Sequence, residues 1–123
     1  MSYSLIWKKD RLVQKYLGNV SPDEILEANK AIYGDPRYDT LKIKIADFSD
    51  VRSSWITHDD IQTVASIDKA SAVWNKRLKV AVLAPAKMRQ YAQQYKEQLQ
   101  STDWEISFFT SRKELEYWLE HRR

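Results

Sequence analysis

The sequence contains no cysteine. Disulfides, thiolate nucleophiles and sulfur-ligated metals are therefore outside its chemistry. Glycine is almost as scarce, with Gly18 and Gly34 the two in 123 residues. Loops that cradle phosphate need several glycines, so that backbone N–H groups can approach the anion. Neither the dinucleotide-binding nor the P-loop spacing is present, and no cofactor is expected. No apolar run approaches the roughly 20 residues that a membrane-spanning helix needs. The amino terminus, MSYSLIWKKDR, lacks the basic region followed by an apolar core that marks a secretory signal. The expectation is a soluble, cytoplasmic protein. Charge of one sign is also lacking: 20 basic residues stand against 17 acidic ones, spread along the chain. Phosphate backbones are bound by basic residues concentrated on one surface, so no nucleic-acid partner is expected.

What is present is an ordinary globular balance, 43% hydrophobic and 30% charged, in a chain long enough for one core without staples. A single domain over 1–123 is expected. Ser2–Lys8 and Arg11–Leu17 have strand character, and Lys9-Asp10 between them suggests a tight hairpin. Ser21-Pro22-Asp23-Glu24 predicts a helix start: Ser21 caps, Pro22 suits the first helical position and Glu24 completes a capping box. Gly34-Asp35-Pro36 ends that helix. Leu41–Ala46 predicts a strand, with Leu41, Ile43 and Ile45 on one face and Lys42 and Lys44 on the other, which should meet solvent.

Thr57 predicts a second helix cap, with Asp60 as its capping-box partner, for a helix running to about Asn75. Leu78–Ala84 predicts a strand buried on both faces. Pro85 opens a third helix, in which Met88, Tyr91, Ala92, Tyr95 and Leu99 follow the 3.6-residue period. Trp104–Phe109 is a last strand, and Ser111 with Glu114 opens a last helix. The order β-β-α-β-α-β-α-β-α implies an α/β fold with a mixed, mostly parallel sheet and amphipathic helices.

Four stretches carry a resemblance. Gly18-Asn19-Val20-Ser21 leads from a strand into a helix, Ala46-Asp47-Phe48 closes the next strand, and Leu78–Leu83 reads LKVAVL. Phe108-Phe109 is followed by Glu114-Leu115 and Trp118-Leu119. In this order the stretches resemble the SpoIIAA-like branch of the STAS superfamily, the anti-sigma-factor-antagonist fold, from about residue 4 to 120. The resemblance implies a non-enzymatic regulatory or protein-interaction module. Some relatives resemble half of a lipid-binding CRAL-TRIO fold, which implies the alternative of a carrier or sensor of a small apolar, lipid-like molecule. Phosphorylatable members carry an Asp-Ser-x-Gly motif at the helix after the third strand. Here that region reads Ser53-Ser54-Trp55-Ile56-Thr57-His58-Asp59-Asp60, without the motif or a glycine.

In open α/β sheets, ligands and partners meet the loops at the carboxyl ends of the strands. The acidic, serine-rich segment Asp47–Thr57 is therefore the expected working loop. Asp47, Asp50, Arg52 and Trp55 are the candidate contact residues for a ligand or protein partner, although Asp47 also suits hydrogen bonds to its own turn. Ser53, Ser54 and Thr57 are candidate phosphoacceptors; for Thr57 the competing role is the helix cap. Serine, His58 and Asp59 supply the residue types of a nucleophilic triad, but neighbours in one helical turn point apart, so no catalytic residue is assigned. His58, Asp59 and Asp60 fail to converge for the same reason, and no metal is expected. Trp7, Trp104 and Trp118 suit core positions, while Trp55 and Trp74 are harder to bury. A homodimer would form if a second copy covered the Lys42–Lys44 face or the edge of the first strand.

Overall fold

The computed structural model describes residues 2–121. Two strands open the chain, β1 (Tyr3–Trp7) and β2 (Arg11–Val20), joined by the tight turn that Lys9-Asp10 suggested. Lys8 N–H donates to the Arg11 carbonyl at 2.7 Å across this turn. Three further strands follow, β3 (Ile43–Ser54), β4 (Lys79–Leu83) and β5 (Glu105–Phe109). They alternate with the helices α1 (Pro22–Tyr33), α2 (His58–Ser71), α3 (Arg89–Gln98) and α4 (Arg112–Glu120). The strands stand side by side in chain order, β1-β2-β3-β4-β5, with β1 antiparallel and the others parallel. This is the mixed, mostly parallel α/β sheet that the element order implied.

Consecutive parallel strands joined by right-handed crossovers send every crossover helix to the same face. The larger core lies on that face. It joins Leu12, Tyr16 and Val80 of the sheet to Ile25, Ala28 and Ile32 of α1, Val64 and Ala65 of α2, and Tyr95 of α3. The last helix returns across the opposite face. Leu115 of α4 packs there on Ile45, Ala81 and Leu83, and the Trp118 ring tilts against Phe109 at 5.6 Å.

The caps form as the spacing dictates. Ser21 and Glu24 exchange a reciprocal capping box at α1, and Thr57 with Asp60 does the same at α2. At α4 the Ser111 side chain accepts from the Glu114 N–H at 3.1 Å. Pro85 begins one turn of 3-10 helix, Ala86–Met88, and the α-helical hydrogen bonding of α3 starts only at Arg89.

Two expectations need correction. The strand after α1 does not end near Ala46 but runs on to Ser54. Asp47 pairs with Leu83, the last residue of β4, and beyond it β2 is the strand neighbour of β3. The register slips between Lys15 and Leu17, and again between Gly18 and Asn19, so β3 carries two more residues than the β2 stretch it follows. Such bulges break the two-residue alternation and sharpen the twist. Most of the expected loop is therefore the outer strand of a two-stranded parallel arm.

The second correction concerns Lys44. It lies beneath the crossover helices and is only 2% exposed, whereas Lys42, just before β3, is exposed as expected. A second copy has no access to Lys44.

Candidate functional site

The arm is built by Tyr16–Val20 and Phe48–Ser54, and it is anchored at its root. Phe48 stacks on Tyr16 with ring centroids 4.6 Å apart and planes within 6° of parallel. Val51 packs on the core from the middle of the arm, and Val20 is fully buried at its far end. Gly18 sits within the arm at φ +73°, a left-handed conformation that glycine adopts at little cost.

Asp47 is the electrostatic centre of the root. Its carboxylate is buried and accepts from the Ser49 N–H at 2.9 Å and the Ser49 hydroxyl at 2.6 Å. It also accepts from the Arg112 guanidinium of α4 at 2.9 Å and from the Lys15 ammonium at 3.4 Å. Burial pushes its pKa up, but the bonds from Ser49 and Arg112 and the charge of Lys15 outweigh it, and the net shift is downward. Lys15 also reaches Asp50 at 2.8 Å, and the bond to Asp50 leads the causes that raise the lysine pKa. Asp47 therefore ties β2, β3 and α4 together, with Asp50 at the solvent end of the same chain of charges.

Arg52 and Trp55 are exposed, Trp55 at 64%. Leu17, paired in register with Asp50, is 60% exposed on the other strand of the arm. Leu17, Asp50 and Arg52 thus lie on one short arm at the carboxyl ends of the strands, and Trp55 follows directly after it. The Ser53 hydroxyl donates to Asn19 Oδ1 at 2.7 Å, across the arm. The Ser54 hydroxyl accepts from the Ile56 N–H at 3.2 Å and turns the chain toward α2. The Thr57 hydroxyl accepts from the Asp60 N–H at 3.2 Å and donates to its carboxylate at 3.0 Å.

His58 turns away from the serines. Its Nδ1 meets Gln94 Oε1 at 2.5 Å, Gln94 donates back to the His58 carbonyl at 2.8 Å, and the His58 ring lies 4.9 Å from Tyr91. The pair straps α2 to α3. Among the described residues, no group of three or more His, Cys, Asp or Glu is placed to hold a metal ion. Trp74, 74% exposed, lies just past the end of α2, at the opposite end of the sheet from Trp55.

Sequence reasoning passed over a second polar cluster, beneath the helices. The Lys44 ammonium lies 3.7 Å from Asp68 of α2 and 2.9 Å from the Tyr33 hydroxyl, and both charged groups are buried. Asp68 also accepts from Tyr33 and Tyr95 at 2.5 Å each and from Asn29 at 3.2 Å. Gln14 donates to Asn29 at 2.9 Å and to the Tyr16 hydroxyl. Burial lowers the Lys44 pKa, and the Asp68 charge offsets only part of that shift. Burial first, and the Asp68 charge second, raise the phenols of Tyr33 and Tyr95. The only trace of this cluster in the sequence is a set of polar residues at positions whose neighbours are apolar.

Comparisons agree on the fold. The structure of the anti-sigma factor antagonist SpoIIAA in its unphosphorylated form superposes with a TM-score of 0.61 over 98% of this chain and 99% of that one, at 11% identity. A DUF3478-family protein with a SpoIIAA-like fold from Shewanella loihica PV-4 gives a TM-score of 0.50 over 95% and 91% of the two chains, at 14% identity. No protein-family model and no curated protein matches the sequence. The chain has a SpoIIAA-like fold, the one its motifs resemble.

Proposed function

We propose that the chain is a small, non-enzymatic regulatory module of the cytoplasm, and that it binds a protein partner through the β2–β3 arm. The observation that carries the reading is the pairing of two large exposed apolar side chains, Leu17 and Trp55, with Asp50 and Arg52 on an arm whose root is locked. Tryptophan and arginine are over-represented among residues that dominate interface energies. A rigid arm gives up little freedom on docking, which favours affinity. The superposed SpoIIAA is an anti-sigma factor antagonist. That likeness supports a regulatory role by analogy of fold.

Among the three hydroxyl candidates, a phosphate at Thr57 would displace the α2 cap and face Asp59 and Asp60. Ser53, exposed on the arm, is where a phosphate would alter docking without that penalty.

The test is affinity capture from the native lysate with the unmodified chain, Trp55→Ala, Asp50→Lys and Trp74→Ala. A stoichiometric protein retained by the unmodified chain and by Trp74→Ala, and lost from the two arm variants, is the expected result. Retention by all four chains would place docking elsewhere.

A further inference from the structure

Between the sheet and the helices α1, α2 and α3 lies a partly open cavity of about 90 Å³. Most of its wall is apolar, formed by residues such as Ile25, Val64, Val80, Val82, Ala92 and Phe108. One end is polar and is made by Gln14, Tyr16, Asn29, Lys44, Asp68 and Tyr95, every one of them more than nine-tenths buried. Of the partly exposed lining residues, Pro22, Asp60, Ile61 and Met88 gather at the starts of α1, α2 and α3, and Val82 and Phe108 lie one residue before the ends of β4 and β5. The mouth therefore opens at the carboxyl ends of the parallel strands, where α/β sheets place their ligands.

The chemistry of the polar end narrows the occupant. Lys44 and Asp68 cancel one another, so a buried anionic head would arrive without a free counter-charge. What the end can offer is donors. The ammonium has three protons, of which the Tyr33 oxygen takes one while Asp68 lies 3.7 Å away, and the Tyr16 hydroxyl, which accepts from Gln14, keeps its own proton to give. Size narrows it further. An apolar cavity of about 150 Å³ can take benzene, whereas one water needs roughly 10–15 Å³. A cavity of about 90 Å³ with an open mouth suits one ring or a short chain that leans outward, and not a long acyl chain.

We propose that this cavity binds a small neutral amphiphile, a single ring or short chain bearing one oxygen acceptor, with the oxygen against Tyr16 and Lys44. The cavity shares Tyr16 and Phe48 with the root of the docking arm.

The probe is 4-methylphenol, titrated into isotopically labelled protein at neutral pH with the backbone amides followed by NMR. Toluene, which lacks the oxygen, and 4-methylbenzoate, which carries a charge, are the comparisons. Saturable shifts at the amides of Val64, Val82 and Ala92 are expected for 4-methylphenol, with affinity at least tenfold weaker for each comparison compound. Ala92→Phe fills the chamber and should abolish the shifts. Tyr16→Phe should keep toluene binding and cost 4-methylphenol about tenfold, which checks the oxygen contact even where Ala92→Phe fails to fold. No saturable shift with 4-methylphenol would show that the chamber holds only water and would overturn the proposal. Equal affinity for toluene, or tighter binding of 4-methylbenzoate, would overturn the assignment of a neutral oxygen acceptor.

Discussion

A buried ammonium is tolerated only with a partner, and here Asp68 faces Lys44 across the space between β3 and α2. The two residues are not equally dependent on each other. Without Lys44, Asp68 would keep three donors, from Asn29, Tyr33 and Tyr95. Without the Asp68 charge, Lys44 would keep the Tyr33 oxygen and the faces of two rings, Tyr33 at 5.2 Å and Trp104 at 5.7 Å. Breaking a buried pair by removing one partner costs about 3–5 kcal/mol. Asp68→Asn is expected to fall in that range, and Lys44→Met to cost clearly less. Equilibrium urea unfolding of both variants at pH 7 measures the difference, and the reverse order would show that the hydroxyl and amide donors do little to support the carboxylate.

At the scale of elements, the arm and the cap of α2 make separate contributions. A Cβ built on Gly18 would meet nothing nearer than an Arg52 nitrogen at 3.9 Å, so Gly18→Ala carries the conformational cost alone, roughly 1–2 kcal/mol for a left-handed residue. Thr57→Ala removes one capping bond and should cost about 1 kcal/mol. The two sites share no hydrogen bond, so the double variant should show the sum in thermal unfolding.

The contrast between these elements also explains what could be read in advance. Capping boxes are local, contained within four residues, and they were legible at Ser21 and Thr57. The alternating strands and the order of elements were legible for the same reason. The extension of β3 was not: Asp47–Ser54 has the acidic and serine-rich composition of a turn, and its two bulges erase the alternation that would mark a strand. Lys44 looked solvent-facing because its counter-ion comes from a helix 24 residues later, a separation that no local pattern reports. Leu17 was recognised as a strand residue, but its exposure depends on how far β1 and β4 extend beside the arm.

For the whole molecule, the same buried phenols set the alkaline limit of stability. Burial raises Tyr38 from 10.0 to about 12 and pushes Tyr16, Tyr33 and Tyr95 well above the ordinary phenol value. A group whose folded pKa is raised stabilises the fold fully below its unfolded value and loses that contribution as pH climbs toward the folded one. Lys44, with a lowered pKa, acts in the opposite sense, as one group against four. The phenols leave stability unchanged below about pH 10, where relief of the Lys44 cost can only raise it, and stability should fall above that. Urea midpoints from pH 8 to 11, with tyrosinate absorbance recorded in parallel, measure this. Phenols that ionise near 10 in the folded protein would contradict the burial on which the expectation rests.

The consecutive strand order has a consequence for how the chain is made. Each strand lies against the one completed just before it, so a ribosome emitting β2, β3, β4 and β5 in turn adds every new strand to an edge that already exists. No strand waits for a distant segment, and loop closure stays short throughout. The nascent sheet has one growing edge at any moment, and α4, the final element, covers β4 and β5 on the face that the crossover helices leave open.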